Sequence, residues 1–172
     1  MIAPSLSSYV IKPIGPDGVD RAYPLMRAVA SDLSLQEWRR FCRDGAQREE
    51  TVLAINSKGY VKGLCIFAIR DHRHYGRLLD VPVFVIASAA DAEGVGAELL
   101  QFLEATRDAE ACSGVRLWTM GPETWDRRLS IDDARRMDHG VFLPASASAD
   151  QIEKALAACV RAGPTLIGQL SR

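Results

Sequence analysis

The 172-residue chain has no charge excess: 21 basic and 22 acidic residues leave a formal net charge of -1. A strongly basic nucleic-acid binder is thereby disfavoured, and only a local basic patch stays open. A long hydrophobic run is also missing. The longest apolar stretch, Val81 to Ala90, is broken by Pro82 and Ser88 and is too short to span a bilayer. The first residues, Met1 to Val10, lack the basic start and apolar core of a secretory signal. These absences lead to the expectation of a cytoplasmic protein with neither membrane nor nucleic acid among its partners. Cysteine is sparse. Cys42, Cys65, Cys112 and Cys159 show no CxxC spacing and no histidine at zinc-ligand spacing, so no metal site is expected. Each reads as a small buried hydrophobe in a reducing compartment.

What is present is ordinary globular composition, 48% hydrophobic and 25% charged. Such a length buries roughly two-thirds of the unfolded surface in one domain, here 1–172. Ser8 to Ile14 reads as a strand ending in a Gly15-Pro16-Asp17-Gly18 turn. A helix follows, in which Pro24 is tolerable only within the first turn. Ser34-Leu35-Gln36-Glu37 is a capping box opening a second helix that ends near Gly45. Thr51 to Ile55 and Tyr60 to Ile69 form a hairpin around Asn56-Ser57-Lys58-Gly59, with Gly63 marking a bulge or a close backbone approach. Leu78 to Ala87 reads as a strand buried on both faces, with a bulge at Pro82. Gly94 to Ala109 is the clearest helix, and Val115 to Met120 alternates as a strand, which makes a parallel βαβ unit. Loop over Gly121–Leu129, a short helix from Ser130, a strand Val141–Leu143, a helix Gln151–Arg161 and an edge strand Thr165–Leu170 complete the reading.

The segment that carries chemistry runs from Val83 to Leu100. A buried strand passes through a loop into a helix opened by Gly94 and Gly96. Glycines at such an entry let backbone amides approach an anion, and the helix dipole adds positive potential. The same glycines would equally serve close helix–sheet packing, and spacing alone leaves both readings open. Candidate acids and bases are few. Asp80 could face a cleft or be an ordinary strand-end carboxylate; His72 and His74 flank a turn; Asp138 and His139 follow a helix end. Trp118 and Trp125 could line a pocket or pack in the core. Arg127, Arg128, Arg135 and Arg136 form a basic run that usually faces solvent.

Strand, two helices, an antiparallel meander and then strand–GxG–helix–strand resembles the GNAT superfamily of acyl-CoA-dependent N-acyltransferases. Asp91-Ala92-Glu93-Gly94-Val95-Gly96 matches that family's Gln/Arg-x-x-Gly-x-Gly/Ala. Ala134 to Phe142 resembles a shortened form of its Ala-x-x-Phe-Tyr-x-x-x-Gly-Phe segment. The resemblance implies an α/β fold with a mixed, mostly antiparallel sheet and a V-shaped opening between two parallel strands. The terminal portion 143–172 is atypical for it. It implies acetyl-CoA as acyl donor, with Asp91 and the amides of Gly94, Val95, Gly96 and Ala97 at the pyrophosphate. Phe84, Val85 and Ile86 would lie along pantetheine, and an amine would attack the thioester directly. Asp138 occupies the position of the family's acid tyrosine, so Asp138, His139 and Asp80 are the catalytic candidates. The acceptor would be a small-molecule or peptide amine, and the terminal helix and edge strand could serve a homodimer. Asp91 and Glu93 bring carboxylates to a phosphate site. They keep open a second reading, a CoA-binding or regulatory module without catalysis. A domain for another phosphorylated ligand is a third.

Overall fold

The computed structural model describes residues 9–44, 49–88, 90–118 and 140–161. The order is β1 (Tyr9–Pro13), α1 (Pro16–Val29), α2 (Leu35–Asp44), β2 (Glu50–Asn56), β3 (Val61–His72), β4 (Gly76–Ile86), α3 (Ala92–Ala109), β5 (Gly114–Trp118), β6 (Gly140–Pro144) and α4 (Ala149–Arg161). The six strands form one sheet in sequence order. Every neighbouring pair is antiparallel except β4 and β5, which are parallel across α3. This is the mixed, mostly antiparallel α/β fold expected.

Two apolar clusters cover the two faces. Val52, Cys65, Leu79, Val81 and Leu117 pack with Val95, Leu99 and Leu103 of α3. Leu53, Leu64, Ile66, Val83 and Val85 pack with Ala22 and Met26 of α1 and Trp38 of α2. Pro82 explains why β4 changes allegiance between Val81 and Val83. Ile66 pairs with Val83 but Ala68 pairs with Asp80, so β4 carries an extra residue at this point. A one-residue slip sends the following side chains to the opposite face. Proline, with no amide to donate, fits where the ladder is already interrupted.

Local chemistry sets the helix ends. Ser34 and Glu37 close the expected capping box: the Ser34 amide donates to Glu37 Oε2 at 2.9 Å and the Glu37 amide to Ser34 Oγ at 3.2 Å. Ser148 and Gln151 build a second such box before α4, which starts two residues ahead of the expected Gln151. The first helix departs from expectation. It begins at Pro16 itself, capped by Gly15, so the presumed turn is its first turn. Pro24 lies inside it, and the helix continues through because its apolar face, Ala22, Leu25 and Met26, is buried against the sheet. Gly63 meets both expectations. The β2–β3 register shifts beside it, and a Cβ there would stand 2.7 Å from Val95 Cγ1 and 2.9 Å from Leu99 Cδ1. The bare backbone lets α3 lie close on the sheet. The loop 121–129, the helix from Ser130 and the edge strand 165–170 lie outside the described residues.

Candidate functional site

The site begins with a ladder that stops early. Among the described residues β4 and β5 pair only at Leu79–Val115, Asp80–Arg116 and Val81–Leu117. Past the Pro82 bulge, Val83 to Ile86 remain paired with Gly63 to Ile66 of β3. On their other edge no strand pairs with them among the described residues. Phe84, Val85 and Ile86 thus present a row of backbone groups to a gap, and unpaired strand edges accept extended chains. This is the V-shaped opening.

At the end of that gap stands the N-terminus of α3. Four amides at a helix start have no partner within the helix. Here they belong to Asp91, Ala92, Glu93 and Gly94. Asp91 is the cap. Its amide donates to Ser88 Oγ at 3.2 Å, and its Oδ1 accepts from the Gly94 amide at 3.1 Å. Its Oδ2 accepts from the Tyr9 hydroxyl at 2.8 Å, which ties β1 to the helix start. That bond holds the Tyr9 phenol above its usual range. The helix therefore starts two residues earlier than the glycine pair suggested. The Val95 amide already donates to the Asp91 carbonyl, at 3.3 Å. Gly96 and Ala97 follow in the helical ladder, and the N–H groups of Ala92 and Glu93 have no partner among the described residues. Gly96 takes the packing role instead: a Cβ there would lie 3.0 Å from Ile86 Cδ1 and 3.3 Å from Leu156 Cδ2 of α4. Glu93 lies in the first turn beside Asp91.

On the opposite face, Asp80 is nearly enclosed, with 8% exposure. Its Oδ1 accepts from Arg116 Nε and from Trp118 Nε1, each at 2.8 Å. The Arg116 guanidinium also lies 4.9 Å from the Trp118 ring centroid. The register explains the grouping, because Asp80 is opposite Arg116 and Trp118 follows on the same face. Asp80 Oδ2 has no partner among the described residues. Arg116 and Tyr9 were not singled out from the sequence. Strand alternation could have put Arg116 on the Asp80 face, but no local signal joins Tyr9 to Asp91.

The remaining candidates are elsewhere. His72 accepts the amides of His74 and Tyr75 on Nδ1, at 3.2 and 3.3 Å, and stacks on Tyr75 in the β3–β4 turn. That turn is at the far end of β4 from the gap. Asp138, His139, Trp125, Arg127, Arg128, Arg135 and Arg136 lie outside the described residues. Burial pushes the Cys42 thiol up to about 12 and the Cys65 thiol higher still, so neither is a ready nucleophile. Among the described residues no three metal-ligating side chains gather, and no helix is long and apolar enough to cross a membrane.

No family model and no curated protein matches the chain. Solved structures do. AAC(6')-Iy in complex with the bisubstrate analog CoA-S-monomethyl-acetylneamine is 11% identical, with a TM-score of 0.57 over 70% of this chain and 85% of that one. A ribosomal-protein-alanine N-acetyltransferase from Brucella melitensis biovar Abortus 2308 is 17% identical, at 0.53 over 62% and 77%. The GNAT-family N-acetyltransferase YhbS from Escherichia coli, in complex with CoA, is 16% identical, at 0.51 over 72% and 68%. Likeness at such identities speaks for architecture. With its sheet order, its single parallel pair and the gap beside it, the chain has the fold of the GNAT-family acetyltransferases.

Proposed function

We propose that the chain is an N-acyltransferase that moves an acetyl group from acetyl-CoA to a primary amine by direct attack. The observation that carries this reading is the β4–β5 gap, with the edge of Val83 to Ile86 along it, unpaired among the described residues. An extended pantetheine arm, with its amides, suits that edge. The neighbours solved with CoA or a CoA analogue support the same donor. The diphosphate fits less simply. The open amides of Ala92 and Glu93 suit an anion, and Gly94 joins them once the Asp91 carboxylate leaves its cap.

The residues in hand then divide the work. Asp80, held through Oδ1 by Arg116 and Trp118, has Oδ2 left to accept a proton from the incoming ammonium. Unpaired amides of the β4 edge are available to polarise the acyl carbonyl. Asp138 and His139 remain the proposed source of the proton for the departing thiolate, on the family resemblance. The reading extends to a cytoplasmic enzyme of one domain, with a homodimer through the C-terminal elements. One specific observation favours a second reading, a CoA-binding module without catalysis: Asp91 sits on the amide a phosphate would use.

A thermal-shift titration with acetyl-CoA, CoA and nucleotides, followed by a thiol-release assay with primary amines, separates the readings. Stabilisation by acetyl-CoA with amine-dependent thiol release is the result expected. Stabilisation without release would leave the module, and indifference to CoA species would remove both.

A further inference from the structure

The Asp80 cluster is closed on itself. Arg116 Nε and Trp118 Nε1 both donate to Asp80 Oδ1, and the Arg116 guanidinium lies against the Trp118 ring. The ion pair is enclosed, with side-chain exposures of 12% for Arg116 and 11% for Asp80. Hydrogen bonds to a carboxylate in such surroundings are stronger than in water. The two donors differ in what fixes them. Arg116 stands opposite Asp80 on a rung of the parallel ladder, so the sheet itself sets their meeting. Among the described residues the rungs end at Val81–Leu117, and Trp118 is the next residue along β5. Its indole reaches back across the point where the strands part. The Trp118–Asp80 bond therefore depends on the angle at which β5 leaves β4.

The chemistry of the carboxylate makes this bond matter. A guanidinium fork matches both oxygens of a carboxylate. With Arg116 as its only partner, Asp80 can turn both oxygens to that fork, and none is left for a substrate. The indole opposes the turn, because it shares Oδ1 with Arg116 Nε and the turn would break its own bond. Two donors converging on Oδ1 keep Oδ2 clear. The indole is neutral, so it does this without setting a further positive charge against an ammonium ion. The guanidinium on its ring in turn holds the plane that aims the N–H.

We propose that Trp118 is a positioning residue for acyl transfer: it keeps Asp80 Oδ2 clear for the acceptor and ties that aim to the gap the donor fills. This rests on the acyl-transfer reading with Asp80 as base. The acceptor's ammonium gives one proton to Oδ2. Its freed lone pair forms the C–N bond as the C–S bond breaks. The nitrogen then loses a second proton, matched by the one the departing thiolate takes up.

The test is steady-state thiol release from acetyl-CoA with butylamine, benzylamine, spermidine and an alanyl peptide, the fastest being used for the variants. Trp118→Phe keeps a ring against Arg116 but removes the N–H. It is expected to lower kcat about tenfold or more, with KM for acetyl-CoA unchanged. In Trp118→His the imidazole Nε2 falls where the indole nitrogen was, so most of the lost rate should return. Asp80→Asn should lower kcat by about a hundredfold or more, and adding Trp118→Phe to it should cost nothing further, since the two act as one unit. Equal rates for wild type and Trp118→Phe, a loss that Trp118→His does not recover, or the same loss in the Asp80→Asn background would each overturn this role. Wild-type thiol release would then still uphold the acyl-transfer reading. No release by wild type with any of the amines removes that reading and the role of Trp118 with it.

Discussion

Asp91 carries the sharpest tension at the scale of single residues. Its carboxylate answers the Gly94 amide and the Tyr9 hydroxyl, yet it brings negative charge to the place where a diphosphate would lie. Asparagine caps helices as well as aspartate does. Asp91→Asn should therefore leave the thermal midpoint near wild type and tighten CoA binding by about threefold to tenfold, as expected from removing about 1 kcal/mol of repulsion. Isothermal titration calorimetry checks this, and an unchanged dissociation constant would mean that the carboxylate does not hinder the ligand. Glu37 gives a pH signature. Its bonds to Ser34 hold its carboxyl below the ordinary value of 4.5. A lowered folded pKa contributes stability that is present above the unfolded value and lost as pH falls through the folded one. Glu37→Gln keeps the shape of the box, so its thermal midpoint should fall less steeply than wild type below about pH 4.5. Parallel curves would remove the capping role. The Ser34–Glu37 box was legible in the sequence because both partners lie within one turn. The Asp80–Arg116–Trp118 cluster was not, because it exists only through the register of two strands far apart in the chain.

Elements show the same division. The Pro82 bulge could be read in advance, since a proline inside an apolar strand leaves few other solutions. Its consequence, the exchange of faces between Val81 and Val83, needed the neighbouring strand. The glycine pair of α3 misled by two residues, because the cap lies on Asp91, before the glycines. Gly63 can be tested directly. Gly63→Ala would push a methyl group against Val95 and Leu99, and overpacking of this kind costs about 1–3 kcal/mol. Urea unfolding should show that loss; a stability equal to wild type would mean α3 is free to move away. The Tyr9–Asp91 bond joins β1 to α3 and raises the Tyr9 phenol above its ordinary value of 10.0. A raised folded pKa gives stability that is present below the unfolded value and lost as pH rises through the folded one. Wild type should thus lose stability above about pH 10 more steeply than Tyr9→Phe, as followed by thermal midpoints in alkaline buffers. Identical alkaline limbs would deny the tie between the two elements.

At the scale of the whole molecule, one sheet separates two kinds of chemistry. The α3 face ends in a helix mouth where the amides of Ala92 and Glu93 have no partner among the described residues. The α1/α2 face holds Asp80 with its arginine and indole. The β4–β5 gap is the passage between them, and among the described residues the parallel ladder beside it ends at Val81 and Leu117. Element order made this architecture readable from the sequence, since two helices, a meander and a βαβ unit leave few topologies. The direct test is hydrogen–deuterium exchange with and without saturating acetyl-CoA. Slowed exchange concentrated in Val83 to Ile86 and at Ala92 to Gly94 is the outcome expected. Protection confined to other strands, or none at all, would contradict a thioester ligand lying in the gap.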